Sequence, residues 1–334
     1  MNSVPEDVFR LMVAYFRTGD VLKIRCATKT TRLMCQYHTP MYPILGRLRY
    51  WKASFPHMTS ATFREPRTLI EEDFVHMKDV DTLSMNSRVQ AFDISYFNHL
   101  PKLTSLDTQG CKFKLTLQPA FLKLTHLSVD HSNAPSDDDL RQLTNLTYLS
   151  IRSVSGATNY GLETLTNLRV LDLYQLDLTD EVCKYLPNLE ELSMTFCLLS
   201  AQGISQFKKL TTLYVIGGKN MKTLEGLEQL PLLHTVHITY CEIHDSDLRY
   251  LPHVRRLVLY STSRIRGHGL CELKHLEYLA LYELSLQDED MDCLLDLPAN
   301  IIYMYRCREV SSNKKKELTN QMKGRFHTDL IRSE

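Results

Sequence analysis

The sequence predicts an α/β fold in which short strand and helix units stack side by side into a solenoid. Within each unit the apolar spacing changes from three residues to two, as in "LPNLEELSMTFC" at 186–197. Alternate residues face one side of a strand, so each unit should supply one short strand with a buried row. The apolar residue that leads this alternation recurs every 21 to 23 residues, at Leu106, Leu127, Leu149, Leu171, Leu192, Leu213, Val236, Leu257 and Leu279.

The order leucine-x-x-leucine-x-leucine at this period is the signature of leucine-rich repeats. Their strands form a parallel sheet that lines a concave face, and short helices lie outside. Weaker matches at Leu83 and Tyr303 indicate a further unit on each side. Cys111, Cys197 and Cys241 stand three residues beyond the second strand anchor, where such repeats carry Asn or Cys that bonds the turning backbone. We therefore expect these thiols to be buried.

The segments after the strands carry signals for helix starts. Ser136, Thr179 and Ser200 each stand at a plausible N-cap, and acidic residues follow the first two. Side-chain oxygens at this position bond free amides of the first turn, and acids there face the positive end of the helix. We expect short helices on the outer side to begin at these three residues.

Side chains that lie between the buried anchors point out of the sheet, and they are the usual contact points of such repeats. Tyrosine becomes frequent among them toward the C-terminal half. It combines a large contact area with a polar tip and, like arginine, is enriched at binding hot spots. Tyrosine also favours strands for their own sake, and this alternative stays open. The candidate substrate-binding residues of the concave face are Tyr174, Tyr214, His237, Tyr240, Arg256, Tyr260, Tyr278 and Tyr282.

Composition and motifs argue against several classes of function. The 334 residues carry no net formal charge, whereas nucleic-acid binders normally show a basic excess. No apolar run approaches the roughly 18 residues of a membrane span. The start of the chain lacks a secretory signal, and nine scattered cysteines without a C-x-x-C pair indicate reduced thiols in the cytoplasm or nucleus. No metalloprotease, nucleophile-elbow, phosphate-loop or zinc motif occurs, so we expect no enzyme, metal or cofactor.

The first forty-five residues lack the repeat and predict helices instead. Pro5 can open the first helix, with acids at its positive end. Its apolar residues at steps of three and four give one apolar face. Gly19 ends this helix, and Asp20 can cap the next. A helical cap on the first repeat would show the same pattern, because solenoid ends need covering.

This region resembles an F-box. Val4-Pro5 stands for the opening pair, Asp7-Val8 for the acid and aliphatic residue, Met12-Val13 with Phe16 for the central apolar group, and Asp20-Val21-Leu22 for the second helix start. Thr31 stands where the family carries tryptophan. A helical module followed by leucine-rich repeats is the layout of F-box/leucine-rich-repeat proteins.

The resemblance implies a substrate receptor of an SCF-type cullin-RING ubiquitin ligase. The F-box would bind a Skp-type linker subunit, and through it a cullin, while the repeats hold a protein substrate. The linker-facing residues would be Val4, Pro5, Val8, Met12, Val13, Phe16, Val21, Leu22 and Ile24. The alternative is a leucine-rich-repeat scaffold or regulatory protein with a helical cap and no ligase link.

The predicted organisation has four parts. These are an F-box-like helical module at 1–45, a linker, cap and degenerate first repeat at 46–99, leucine-rich repeats at 100–310, and a charged C-terminal tail or cap at 311–334.

Overall fold

The computed structural model describes residues 59–63, 69–85, 92–111, 113–130, 134–152, 157–262 and 264–329. The F-box-like module and its nine linker-facing residues lie outside these ranges, so that prediction stays a prediction. The chain forms two compact units, Met1–Ala157 and Thr158–Glu334.

The described part of the first unit holds a parallel sheet whose strands follow one another in chain order. Its strands are β1 (Ser60–Phe63), β2 (Thr82–Met85), β3 (Ser105–Asp107), β4 (His126–Asp130) and β5 (Tyr148–Arg152). Between them lie α1 (Glu71–His76), α2 (Asp137–Leu140) and the 3-10 helices Ile94–His99 and Pro119–Lys123.

The described part of the second unit also holds a parallel sheet in chain order. Its strands are β6 (Val170–Tyr174), β7 (Glu191–Thr195), β8 (Thr212–Ile216), β9 (Thr235–Thr239), β10 (Arg256–Tyr260), β11 (Tyr278–Tyr282), β12 (Ile301–Tyr305) and β13 (Phe326–Thr328). Its α-helices are α3 (Asn159–Leu162), α4 (Ala201–Ile204) and α5 (Ser312–Gln321). The 3-10 helices are Asp180–Tyr185, Leu227–Gln229, Asp245–Tyr250, His268–Glu272, Asp288–Asp290 and Asp292–Leu294.

The register of the strands places the predicted anchors side by side. Leu171, Leu192 and Leu213 are paired in succession and fully buried, and Leu83, Leu106, Leu127 and Leu149 align in the same way in the first unit. Burial contributes about 1.5–3 kcal/mol for each such side chain. A single repeat has too few apolar residues to close a core alone, and the stacking of repeats makes the buried row continuous. The predicted leucine-rich-repeat solenoid is confirmed.

One predicted anchor is wrong. The partner of Leu279 is Ile302, and Tyr303 pairs with Ala280 on the opposite face. The segment "IIYMY" can bury either its aliphatic or its aromatic alternate set, and it buries Ile302 and Met304. A buried tyrosine hydroxyl needs a hydrogen-bond partner, whereas an aliphatic side chain does not.

The residue that follows each strand of the second unit turns the chain away from the sheet. From β6 to β12 it has a left-handed backbone, with φ between 47° and 58°, at Gln175, Phe196, Gly217, Tyr240, Ser261, Glu283 and Arg306. The amide of Tyr240 donates to the carbonyl of Tyr260 at 3.1 Å, and its equivalents bond likewise except that of Arg306, which donates to Oδ2 of Asp329. Cys197 and Cys241 follow this turn and are buried, as is Cys111 in the first unit. The thiol of Cys197 donates to the carbonyl of Thr195 at 3.4 Å.

The outer helices begin where the sequence predicts. The hydroxyls of Ser136 and Ser200 accept the amides of Asp139 and Gly203, at 3.2 and 3.1 Å. Thr179 differs: it precedes the helix Asp180–Tyr185 without capping it, because its hydroxyl accepts from Nδ2 of Asn159 at 2.6 Å. The hydroxyl that the sequence predicts as a helix cap therefore bonds a side chain of the neighbouring repeat instead.

Candidate functional site

The candidate residues of the concave face all lie in the second unit. Seven are on the outward side of its sheet, and Tyr240 is in the turn after β9. Strand register sets them in rows, because a residue and its partner on the next strand point the same way. The aromatic face is defined here as the outward aromatic and arginine side chains from β8 to β13. Its members are Tyr214, His237, Tyr240, Arg256, Tyr260, Tyr278, Tyr282, Tyr303, Tyr305 and His327.

One row of the aromatic face follows the C-terminal ends of the strands. Tyr240 meets Tyr260 edge-on with ring centroids 5.4 Å apart, and Tyr260 lies 6.1 Å from Tyr282. Tyr282 stacks on Tyr305 at 5.9 Å. Tyr260, Tyr282 and Tyr305 are direct register partners. Pairs in this geometry attract one another beyond the area they bury, so the row is a preorganised strip of rings.

A second group of rings covers the last strands. Tyr303 lies 5.8 Å from Tyr278 and 4.9 Å from His327, and it stacks on Tyr305 at 6.0 Å, which joins it to the first row. The guanidinium of Arg256 lies 4.5 Å from the ring centroid of Tyr278, a cation–π contact.

A small residue, Ala280, lies between the two groups. Ala280 belongs to the outward side of β11, yet it is fully buried. Tyr278 and Tyr282 flank it on its own strand, and Tyr303 is its partner on β12. The rings therefore close over this position and form a continuous surface.

The eight predicted residues do not form one group. Arg256 and Tyr278 are linked to Tyr240, Tyr260 and Tyr282 through Tyr303 and Tyr305. Tyr214 and His237 form a separate pair with centroids 4.5 Å apart. Tyr174 lies on β6, two strands before Tyr214 on β8, and its ring centroid is 6.4 Å from that of Phe196.

Sequence analysis missed three members of the aromatic face. The predicted anchor at Tyr303 puts this residue in the core, and the alternation then puts Tyr305 there as well. The alternation in "IIYMY" would have found both, since tyrosines two apart lie on the same side of a strand. His327 belongs to β13, and no repeat signal marks that strand.

Hydrogen bonds and burial raise the pKa of two phenols at the centre of the aromatic face. Bonds to Tyr240 and Glu283 raise the pKa of Tyr260 to about 12. Burial and the neighbouring tyrosines also raise the pKa of Tyr282. Glu283 accepts from Nη1 of Arg306 at 2.9 Å and from the hydroxyl of Ser261 at 3.1 Å. The bond from Arg306 is the main cause of the lowered pKa of Glu283. A phenol of ordinary pKa is already protonated at neutral pH, and these shifts extend the neutral form to higher pH. The ion pair of Glu283 with Arg306 lies beside them.

His237 is also neutral in this surface. Burial and the positive charge of Arg256 lower its pKa from the ordinary value of 6.5. The imidazole of His237 binds a proton more readily in the unfolded chain than in the folded one. The free energy of unfolding therefore decreases as the pH falls below 6.5.

Replacing Arg256 by glutamine should raise the pKa of His237. The guanidinium disfavours the imidazolium, so its removal relieves one of the two causes, while burial keeps the pKa below 6.5. The loss of stability at acidic pH should shrink accordingly. The measurement is an NMR titration of the His237 ring protons in the full chain, with Arg249→Gln as the control. An unchanged His237 titration in Arg256→Gln would contradict the assignment.

The described residues bear on three further questions: a metal site, a reactive thiol and a membrane-spanning helix. No three His, Cys, Asp or Glu side chains in this part of the chain are placed to hold a metal ion. Burial raises the pKa of the Cys307 thiol to about 11, which removes it as a nucleophile at neutral pH. In the same ranges no helix has both the length and the apolar character needed to cross a membrane.

Comparison with known proteins shows the fold alone. No protein-family model and no curated protein matches the chain. A leucine-rich-repeat protein of Leptospira interrogans matches with a TM-score of 0.56 and 17% identity, over 91% of this chain and 86% of that one. A chain of the yeast Rad7–Elc1 complex matches with a TM-score of 0.53 and 13% identity, over 97% and 92%.

A chain of the mouse RP105/MD-1 complex matches with a TM-score of 0.54 and 21% identity, over 74% of this chain and 50% of that one. The present chain thus spans about half the length of that relative. The chain has a leucine-rich-repeat fold.

Proposed function

We propose that the protein is a non-enzymatic receptor that holds a protein substrate on the aromatic face and presents it for ubiquitin ligation. The observation that carries the binding half is the connected set of rings from Tyr240 to His327. Among the described residues, no group of His, Cys, Asp and Glu side chains is placed to hold a catalytic metal ion.

The chemistry of the aromatic face suits a protein surface. Tyrosines offer large, rigid contact areas at low cost in side-chain entropy, and their hydroxyls accept and donate hydrogen bonds. Tyr240 is 56% exposed and the nearby Ile216 38% exposed, so apolar area remains for a partner to cover. Its rings are spread over the strands from β8 to β13, and a surface of this extent favours a protein over a small molecule.

Two of the structural neighbours support protein binding. The yeast structure is a complex of Rad7 with Elc1, and the mouse structure is a complex of RP105 with MD-1. Each is a leucine-rich-repeat fold determined together with a protein partner. The same use of the fold is proposed for this chain.

The ligase half of the proposal rests on the F-box resemblance of residues 1–45. The module would dock its apolar helices on a Skp-type linker, and the linker would join a cullin. The receptor then raises the effective concentration of substrate lysines beside the ubiquitin-carrying enzyme without doing bond chemistry itself. We place this activity in the cytoplasm and/or the nucleus.

Charge in the F-box-like helix should abolish linker binding. The triple variant Val8→Glu, Met12→Glu, Phe16→Glu puts three carboxylates on the face that would be desolvated, so we expect linker capture to fall by at least a hundredfold. The measurement is capture of purified Skp-type linker by the full chain. The control, Ile70→Glu, Val75→Glu, Leu122→Glu, adds equal charge at exposed apolar sites of the repeats. Capture that survives the first variant would favour the scaffold with a helical cap.

A further inference from the structure

A basic cleft lies at the N-terminal ends of β9–β11, at the edge of the aromatic face. Its volume is about 590 Å³. The charged and imidazole side chains that line it are His234, His253, His275, Arg255, Arg256 and Glu277. Three imidazoles and two guanidinium groups thus face one opening, against a single carboxylate.

Two of the imidazoles stand where other repeats carry a structural asparagine. Asn145 and Asn188, four residues before their strand anchors, each donate from Nδ2 to a carbonyl of the preceding repeat at 2.8 Å. His253 and His275 occupy the same position in their repeats. Neither ring has a hydrogen-bond partner among the described residues. The bond that ties Asn145 and Asn188 to their preceding repeats is therefore absent at His253 and His275, whose exposed rings offer donors to solvent instead.

The two arginines are held in place with donors to spare. Arg255 gives Nη1 to Oε1 of Glu277 at 3.0 Å, in a pair whose side chains are more than half exposed and which a ligand can therefore replace at little cost. Arg256 rests its guanidinium on the ring of Tyr278. A cation–π contact uses the flat face of a guanidinium, so the N–H groups on its edge stay available.

We propose that this cleft binds a phosphate monoester carried by the protein segment that lies on the aromatic face. Such a group has a charge of about −1.5 to −2 and three acceptor oxygens, and guanidinium groups bind it in bidentate geometry. The imidazoles add N–H donors whether neutral or protonated. Arg256 joins the two surfaces, because it lines the cleft and also touches Tyr278 of the aromatic face. The identity of the bearer rests on the proposed function above.

Nucleic acid is the less favoured source of phosphate. A polyanionic backbone needs a basic track that continues over many phosphates, and the chain has no net charge. On the side of the aromatic face the adjoining surface carries tyrosines, and the ion pair of Glu283 with Arg306 there adds no net charge.

Phenyl phosphate is the probe for this proposal, titrated into the full chain with detection by histidine NMR signals. Arg255→Gln with His275→Gln should weaken its binding at least tenfold, because one guanidinium and one imidazole are lost. Arg266→Gln with His268→Gln removes the same two residue types elsewhere in the unit and should leave binding unchanged. Equal binding by both variants, or none by the unaltered chain, overturns the proposal. Tighter binding of a single-stranded oligonucleotide would overturn it in favour of nucleic acid.

The two proposals fail separately. If the chain binds phenyl phosphate but no protein substrate, the proposed phosphate site stands and the proposed receptor role is wrong. If phosphatase treatment of the protein substrate does not change its affinity for the chain, and phenyl phosphate does not bind, the receptor role stands and the proposed phosphate site is wrong.

Discussion

Replacing Gly269 by alanine is expected to destabilise the second unit by about 3 kcal/mol, the upper end of what overpacking costs. A Cβ at this position would lie 2.0 Å from the carbonyl oxygen of Asp245 and 2.8 Å from its carbonyl carbon. Both atoms belong to the backbone of the preceding repeat. A flexible side chain can rotate away from such a clash, but a backbone carbonyl cannot without moving the helix to which it belongs.

The clash should also break the hydrogen bonds that join the two repeats. Asp245 accepts the amide of Arg266 through Oδ2 at 2.8 Å and that of Gly267 through Oδ1 at 2.9 Å. These bonds satisfy amides at the start of the helix His268–Glu272. If the backbone of Asp245 is pushed away, the carboxylate moves with it, and the loss extends to both helices.

The measurement is the urea midpoint of the full chain, followed by circular dichroism. Two glycines calibrate the result. Gly324 has φ of +87° with nothing within 4 Å of a built Cβ, so Gly324→Ala should cost only the backbone strain, roughly 1–2 kcal/mol. At Gly203 the obstacle is the Asp180 side chain at 2.2 Å, which can move after giving up its bond to Ser200. Gly203→Ala should fall between them. A Gly269→Ala midpoint no lower than that of Gly324→Ala would contradict the close approach.

The sequence predicts the spine of this fold well, because the spine is a one-dimensional pattern. Leu171, Leu192 and Leu213 fall at near-constant spacing, each strand can bury only one alternate set, and register follows from stacking. The same rule fails at β12, where both alternate sets are apolar enough to be buried and only the tyrosine hydroxyls distinguish them. Because this one strand is ambiguous, the sequence does not predict Tyr303 and Tyr305 as members of the aromatic face.

Features that depend on neighbouring repeats are not predictable from one repeat. The approach of Gly269 to Asp245 depends on how closely two outer helices pack, and nothing in "HGL" states that distance. The basic cleft likewise combines His253 and Arg255 of one repeat with His275 of the next. Each is an ordinary surface residue in its own repeat, and only the pitch of the stack brings them to one opening. The sequence predicts the aromatic face in part, because Tyr174, Tyr260 and Tyr282 recur at one repeat position, three residues after the strand anchor.

Removing two rings from the aromatic face should weaken binding of the protein substrate strongly. Hot-spot tyrosines cost about 2 kcal/mol or more on truncation, roughly a thirtyfold loss of affinity each. Tyr260 and Tyr282 lie in the middle of the ring strip, with centroids 6.1 Å apart. Because the two side chains touch, the double variant should lose less than the product of the single losses. We expect at least a hundredfold loss for Tyr260→Ala with Tyr282→Ala, measured by titration of the purified substrate.

The same variants decide between binding and strand preference as the reason for these tyrosines. Tyr185→Ala and Tyr250→Ala remove half-buried tyrosines from outer helices of the same unit and should leave substrate affinity intact. Tyr282→Phe keeps the ring and its stack on Tyr305, so it should retain most of the affinity if area is what the substrate uses. If the rings serve only the sheet, Tyr260→Ala and Tyr282→Ala will lower the urea midpoint while affinity stays unchanged. A large loss of affinity at a near-normal midpoint is what a binding face requires, since outward side chains contribute little to the buried spine.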